Sequence, residues 1–150
     1  MSLEHLINQD LKEAMFAKDR QKLAALRAIK AALLLEKTGG SVGDAEIPES
    51  VELKLLQKQV KQRRDTAKIY SEQNRPELAE EEEYQAAIIE KYLPEQMSEE
   101  EVKAVVEKVI ADTGASSMKD MGRVMGMVSK QLAGKADNKT VSILVKQLLS

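Results

Sequence analysis

Apolar residues recur every three to four positions along most of the chain, which is the spacing of a helix that buries one face. The valines at 102, 105, 106 and 109 also follow this helical period and not the period of two that a strand requires. The pattern therefore predicts an all-α protein of seven helices, whose starts are marked by capping residues or by proline. These markers are Ser2, Asp19, Pro48, Pro76, Ser98, Ser117 and Asp137.

Two breaks interrupt the helical pattern. Residues 38–46, with the sequence TGGSVGDAE, hold three glycines and no apolar period, so we expect a flexible connector there. Leu93 and Pro94 end the fourth helix, because a residue before proline avoids helical angles. We place a domain boundary at this point, which gives an N-terminal helical domain of about four helices, residues 1–93, and a C-terminal three-helix domain, residues 94–150.

The amino-acid composition favours helices packed on helices and excludes several kinds of chemical site. The 150-residue chain has three tyrosines and one phenylalanine, and it has neither tryptophan nor cysteine. A core of Leu, Ile, Val, Met and Ala favours helices packed on helices. The lack of cysteine excludes disulfides, thiolate metal sites and cysteine nucleophiles.

The apolar runs are too short for a membrane span, which needs ~20 residues. Acidic residues interrupt the apolar pattern of the first ten positions, unlike in a signal peptide. We therefore expect a cytoplasmic protein that has no membrane association.

No catalytic, cofactor-binding or metal-binding residue is predicted. His5 is the only histidine, and the pattern places no nucleophile or orienting acid beside it. The acidic run 80–83 has no histidine at helical spacing, so it is interpreted as a solvated face or as a weak site for a cation or a basic partner. The glycine-rich connector lacks the GxxxxGK[ST] pattern of a phosphate-binding loop.

The formal net charge of −2 hides a strong asymmetry along the chain. Residues 1–70 hold 13 basic and 10 acidic side chains, residues 71–112 hold 4 and 13, and residues 113–150 hold 6 and 2. An acidic middle therefore separates two mildly basic ends, and the net charge of the whole chain says little about partners.

The predicted sixth helix carries the most informative arrangement. On a helical wheel its three basic residues fall within roughly 40° of one another, next to a stripe of small residues. Each helix-interior glycine costs about 1 kcal/mol relative to alanine, so we expect these glycines to admit another backbone, either that of a neighbouring helix or that of a phosphate chain. The basic residues are Lys119, Arg123 and Lys130, and the small residues are Gly122, Gly126 and Ser129.

The following loop and the seventh helix extend the basic character. Gly134 and Lys135 lead into the start of a helix, where free N–H groups attract anions. Lys139 and Lys146 share the outer face of that helix. Such a surface suits an RNA backbone, although any helix in water also places lysines outside. The third helix offers a rival strip or simply a solvated face: Lys54, Lys58, Lys61 and Lys68.

Several separated motifs together resemble the GatB/YqeY family, and their order and spacing match the stand-alone YqeY-like proteins. They are DMGRVMG at 120–126, GKAD at 134–137, YLPEQ at 92–96 and LRAIK at 26–30. The resemblance implies an N-terminal helical domain followed by a C-terminal three-helix domain. The latter is similar to the tail of the B subunit of glutamine-dependent aspartyl/glutamyl-tRNA amidotransferase, which grips the body of tRNA while other parts of that enzyme do the chemistry.

Carried over by position, the matching motif comprises Met121-Gly122 to Gly126 and the loop 134–137. The amidotransferase tail commonly has Asn where this chain has Asp137, which makes the loop here less positive. A carbon–nitrogen ligase activity with glutamine as amido-N-donor would be inherited from the larger enzyme, because the residues supply no mechanism for it.

Three hypotheses follow. The leading one is a non-catalytic accessory protein that binds tRNA or another structured RNA through eight candidate residues. The second is an adaptor that docks a tRNA synthetase or amidotransferase subunit through its acidic fourth helix and basic ends. The third is an enzyme of the amidotransferase class. The RNA-binding candidates are Lys119, Gly122, Arg123, Gly126, Lys130, Gly134, Lys135 and Lys139.

Overall fold

The computed structural model describes residues 2–39 and 47–150, and over these residues it contains seven α-helices, one short 3-10 turn and no strand. The predicted all-α class is therefore confirmed. The helices are α1 (Leu3–Ala17), α2 (Arg20–Gly39), α3 (Glu49–Glu72), α4 (Pro76–Glu90), α5 (Glu99–Thr113), α6 (Met121–Gln131) and α7 (Asn138–Leu149), and the 3-10 turn is Met118–Asp120.

The helix boundaries follow from local chemistry. The Ser2 hydroxyl accepts a hydrogen bond from the backbone N–H of His5. Ser98 and Glu101 form a complete capping box at the start of α5, in which each side chain accepts from the other residue's backbone N–H. Gly114 ends α5 with φ 68°, a left-handed conformation that glycine adopts without strain. The predicted caps at Ser2 and Ser98 are confirmed.

Two predicted boundaries need correction. Helix α2 continues through Thr38 to Gly39, and the Thr38 hydroxyl donates to the carbonyl oxygen of Leu34 at 3.0 Å. The first two residues of the predicted connector are therefore helical, while its residues 40–46 lie outside the described residues. The predicted sixth helix begins later than expected, because residues 118–120 form the 3-10 turn before α6.

The tertiary contacts group into two compact units, Met1–Leu93 and Pro94–Ser150. In the first unit, α3 and α4 form a long antiparallel pair, and α2 packs against α1 and α4. Its core is aliphatic and includes Ile7, Leu26, Ile29, Leu56 and Ile89.

Polar contacts tie the surface of the first unit together. Arg64 on α3 donates to Glu90 on α4 at 2.6 Å, and Lys37 on α2 pairs with Glu4 on α1 at 2.5 Å. The hydroxyl of Tyr92 donates to the carboxylate of Asp10. These contacts join four helices around the same core.

In the second unit, α5, α6 and α7 pack against one another in all three pairs. Seven valines form the middle of this core, which Leu132, Ala136, Leu144 and Leu149 complete. The valines are Val102, Val106, Val109, Val124, Val128, Val141 and Val145. The burial of one stripe of each helix leaves the other faces of α6 and α7 in solvent.

Candidate nucleic-acid interface

Helix α6 is strongly divided between a buried face and an exposed face. Val124 and Val128 are fully buried, and Met121 and Met125 are partly buried against the same core. The exposed face carries four of the predicted RNA-binding residues: Gly122, Arg123, Gly126 and Lys130. These residues are therefore presented together to solvent.

The two glycines of α6 face open space. A Cβ atom added to Gly122 or Gly126 would have no heavy atom within 4 Å, apart from its own local backbone. Within the described residues of the second unit, no neighbouring helix packs against these two glycines, so the first of the two expected reasons for them is not met there. The room beside the α6 backbone is available to a molecule from outside.

The 3-10 turn sets the position of Lys119. Ser117 caps this turn by accepting from the backbone N–H of Lys119 at 3.4 Å, and the Lys119 side chain is exposed. The 3-10 geometry turns about 120° per residue and not 100°, so the wheel calculated from Lys119 as a regular α-helix is wrong by roughly 20° per residue over this turn. Lys119 lies just before α6 and not on it.

Arg123 is partly neutralised by a carboxylate. Its guanidinium donates to Asp120 at 3.1 Å and reaches the carbonyl oxygen of Thr113 at 3.5 Å. The Arg123 side chain is nevertheless 55% exposed. It can therefore meet an incoming anion, although it must share its charge with Asp120.

Hydrogen bonds from Gln96 and Met97 fix the backbone of the loop between α6 and α7. Gly134 is buried and has φ 75°, and its carbonyl oxygen accepts from the side-chain amide of Gln96 at 2.7 Å. The next carbonyl oxygen, that of Lys135, accepts from the backbone N–H of Met97 at 2.9 Å. Gly134 thus shapes the loop, whereas the Lys135 side chain is exposed.

A role for Gln96 was not predicted from the sequence. The motif YLPEQ, which ends at this residue, was noted as part of the family resemblance but was not connected to the motif GKAD. One hydrogen bond, from Gln96 to Gly134, joins the two motifs across 38 residues. Nothing in a single sequence indicates which carbonyl oxygen a glutamine side chain will reach.

At the start of α7, Asp137 accepts from the backbone N–H of Lys139 at 3.3 Å and so occupies the cap. The side chains of Lys139 and Lys146 are exposed. Over residues 2–39 and 47–150, no ion pair involves Lys119, Lys130, Lys135, Lys139 or Lys146. Five lysines on this part of the second unit therefore carry uncompensated charge.

The acidic and the basic side chains of the second unit lie mostly on different elements. Helix α5 has three glutamates in its first turn, where the helix dipole favours negative charge. The only two acids after residue 112 are Asp120 and Asp137, and both accept backbone hydrogen bonds. Positive charge is thus concentrated on the 3-10 turn, α6, the following loop and α7, and we call these elements the basic surface.

The rival strip on α3 is exposed as well. Lys54, Lys58, Lys61 and Lys68 all lie in solvent, and they belong to the first unit. Arg64, at the margin of the strip, is turned toward Glu83 and Glu90. This strip has no exposed helix glycine beside it, which distinguishes it from the basic surface.

Within the described ranges, no group of three or more His, Asp or Glu side chains is arranged to hold a metal ion. No described helix has both the length and the apolar character that crossing a bilayer demands.

The chain is similar in sequence to fungal proteins called altered inheritance of mitochondria protein 41, mitochondrial. The protein of Clavispora lusitaniae is 33% identical over 126 residues, which cover 82% of this chain and 69% of that protein. The protein of Kluyveromyces lactis is 30% identical over 138 residues, which cover 90% of this chain and 69% of that protein. The family model described as Yqey-like protein matches residues 4–149, and the chain therefore belongs to the YqeY-like protein family.

Proposed function

We propose that this protein is a non-catalytic accessory factor that binds tRNA or another structured RNA through the basic surface. The observation that carries the proposal is the exposed face of α6, where Arg123 and Lys130 lie beside two glycines whose surroundings are open. Lysines at 119, 135 and 139 extend this face on both sides. Cations beside an accessible helix backbone suit a phosphate chain, because the chain needs both charge and close approach.

The same surface predicts what kind of RNA recognition it supports. Residues 94–150 contain no aromatic side chain on which an unpaired base could stack. Lysine contacts to phosphates carry no base information. Binding should therefore depend on the shape of the RNA and on salt, and only weakly on sequence.

Resemblance to the tail of the tRNA-dependent amidotransferase supports tRNA as the first RNA to test. The proposal does not include the amidotransferase reaction. Glutamine-dependent amidation by the purified chain alone would overturn this part of the proposal.

The direct test reverses two charges. We expect the Lys119→Glu/Arg123→Glu double variant to bind total tRNA at least about tenfold more weakly at ~50 mM salt, and to lower the magnitude of the log–log salt slope by about 2. Titrations at ~50 and ~200 mM salt measure both quantities. Far-UV circular dichroism checks that the variant remains helical.

A matched control is available on α5. Lys103 and Lys108 are exposed on the acidic side of the same unit, so Lys103→Glu/Lys108→Glu makes an identical change in net charge away from the basic surface. This control should bind nearly as well as the wild type. Equal losses in the two double variants would show that only net charge matters and would refute a localised site.

The adaptor function remains the second candidate, and one observation favours it. A groove of about 510 Å³ between the start of α2 and α4 is lined by three glutamates, Gln21 and the half-exposed ring of Tyr84. None of these glutamates forms an ion pair with a described residue. The groove suits a basic protein segment; its glutamates are Glu77, Glu80 and Glu81.

Nuclease treatment separates the two candidates. A complex with a purified tRNA synthetase or amidotransferase that survives nuclease, and that Glu80→Lys/Glu81→Lys abolishes, would favour the adaptor. Glu99→Lys/Glu100→Lys on α5 is the matched control for charge. A complex that nuclease dissolves would favour RNA binding.

The cellular location of the protein is also part of the proposal. The cytoplasmic location expected from the sequence stays a prediction, and the fungal relatives carry the word mitochondrial in their names. Fractionation of the cells that produce this protein distinguishes the two locations.

A further inference from the structure

The loop that carries Lys135 is fastened by a small network from the start of the second unit. The Gln96 side-chain amide donates to two carbonyl oxygens, that of Pro94 at 2.8 Å and that of Gly134 at 2.7 Å. One residue later, the Met97 backbone N–H donates to the carbonyl oxygen of Lys135 at 2.9 Å. We call these three hydrogen bonds the latch.

The latch leaves the backbone of Lys135 little freedom. Its N–H donates to the carbonyl oxygen of Leu132 at 2.9 Å, and its own carbonyl oxygen is held by Met97. The next residue, Ala136, is buried in the core of the unit. Both backbone polar groups of Lys135 are thus engaged, while its side chain is exposed to solvent.

A fixed backbone matters for a contact made by a long cationic side chain. A lysine on a mobile loop loses both backbone and side-chain freedom when it contacts a phosphate, whereas a lysine on a fixed backbone loses only the side-chain part. The same reasoning does not apply to Lys130, because α6 already holds its backbone.

We propose that Gln96 is a positioning residue for RNA binding: its amide holds the 134–135 backbone so that Lys135 meets the phosphate chain without ordering the loop. This inference rests on the proposed function of the basic surface. It assigns a role to a residue outside that surface, and it gives the physical reason why the motifs YLPEQ and GKAD occur in one chain.

The test is a double-mutant cycle on the full chain with total tRNA as the ligand. Gln96→Met keeps the length of the side chain and its neutral charge but removes the amide donor. We expect it to weaken tRNA binding by roughly two- to tenfold and to leave the salt slope unchanged, because Gln96 itself contacts no phosphate.

The cycle distinguishes positioning from general destabilisation. In a Lys135→Ala background, Gln96→Met should cause no further loss, because the side chain it positions is gone. In a Lys130→Ala background, which is the matched control, the same loss should remain. The proposal would be overturned if Gln96→Met caused the same loss of tRNA affinity in both backgrounds, or if it caused its full loss in the Lys135→Ala background.

A second readout does not need RNA. The Met97 amide hydrogen should exchange faster in Gln96→Met than in the wild type, because the loop that accepts its hydrogen bond is released. Unchanged protection of Met97 would overturn the latch itself. If the wild-type protein fails to bind tRNA, the proposed function is wrong, and the positioning role of Gln96 is wrong as well. If the wild type binds tRNA and the losses of affinity from Gln96→Met and Lys135→Ala simply add, only the positioning role is wrong.

Discussion

The guanidinium of Arg123 lies 3.1 Å from a carboxylate oxygen of Asp120, one turn earlier in the chain. The other oxygen of Asp120 accepts from the backbone N–H of Ser116, also at 3.1 Å. Asp120 therefore closes the turn that precedes α6 and at the same time restrains an arginine of the basic surface. The one acidic side chain in this region weakens the positive charge that it helps to place.

Asp120→Asn should strengthen tRNA binding. The amide oxygen of asparagine can still accept from Ser116, while the negative charge beside Arg123 disappears. Since an exposed ion pair of this kind is worth less than about 1 kcal/mol, we expect affinity to rise about 1.5- to 5-fold. A tRNA titration at ~50 mM salt measures the change.

Glu107→Gln is the matched control for this experiment. Glu107 is exposed on α5, so its substitution changes the net charge equally at a position further in sequence from Arg123 and from Thr113. A similar gain in both variants would mean that Arg123 is not specifically restrained by Asp120.

Gly122→Ala and Gly126→Ala should separate stability from function. Because an added Cβ meets no atom at either position, each substitution should raise the free energy of unfolding by about 0.5–1 kcal/mol through better helix propensity. Each should also weaken tRNA binding, since the methyl group occupies the space beside the backbone. Thermal denaturation and tRNA titration of the same samples measure the two effects.

Gly114→Ala provides the contrast for the glycine variants. An added Cβ has open space here too, but the positive φ of 68° is strained for alanine. It should lower the free energy of unfolding by about 1 kcal/mol and leave tRNA binding intact in the folded protein. A destabilising effect at Gly122 or Gly126 would show that these positions are occupied, and unchanged tRNA affinity there would remove the glycines from the proposed site.

Tyr92 should make stability depend on alkaline pH. Burial, and then the hydrogen bond to Asp10, raise the pKa of the Tyr92 phenol above its ordinary value of 10.0. The folded state therefore keeps a proton that the unfolded state releases near that value. The resulting stabilisation is complete below this pH and is lost as the pH rises toward the higher pKa of the folded state.

Urea denaturation of the wild type and Tyr92→Phe measures this contribution. The wild type should be the more stable protein at about pH 8, and its advantage should shrink by no more than about 1 kcal/mol at about pH 11, since Tyr92 is partly exposed. Other titrating groups cancel in the comparison. A constant difference between the two proteins across this range would contradict the assignment.

The helices and their ends were predictable because the interactions that form them are local. The Ser98 capping box, the Gly114 terminus and the Asp137 cap each involve groups no more than four residues apart. The exposure of Lys130 and Arg123 opposite Val124 and Val128 follows from helical periodicity alone. A single sequence carries this information directly.

Other features depend on which helix faces pack against each other in the folded protein. Leu33 and Leu34 are adjacent and chemically identical, yet Leu33 is 2% exposed and Leu34 is 60% exposed. Both residues fit the apolar period of α2, and only packing against neighbouring helices distinguishes them. The open space beside Gly122 likewise requires knowledge of every neighbour that could have filled it.

The sequence by itself determined an all-helical chain, the caps that begin its helices and the side of α6 that faces solvent, because each depends on contacts within about one helical turn. Only the tertiary structure decided that Gln96 reaches the carbonyl oxygen of Gly134 and that Arg123 reaches the carbonyl oxygen of Thr113. A hydrogen bond across 38 residues depends on how α5, α6 and α7 pack, and that packing is a property of the whole unit.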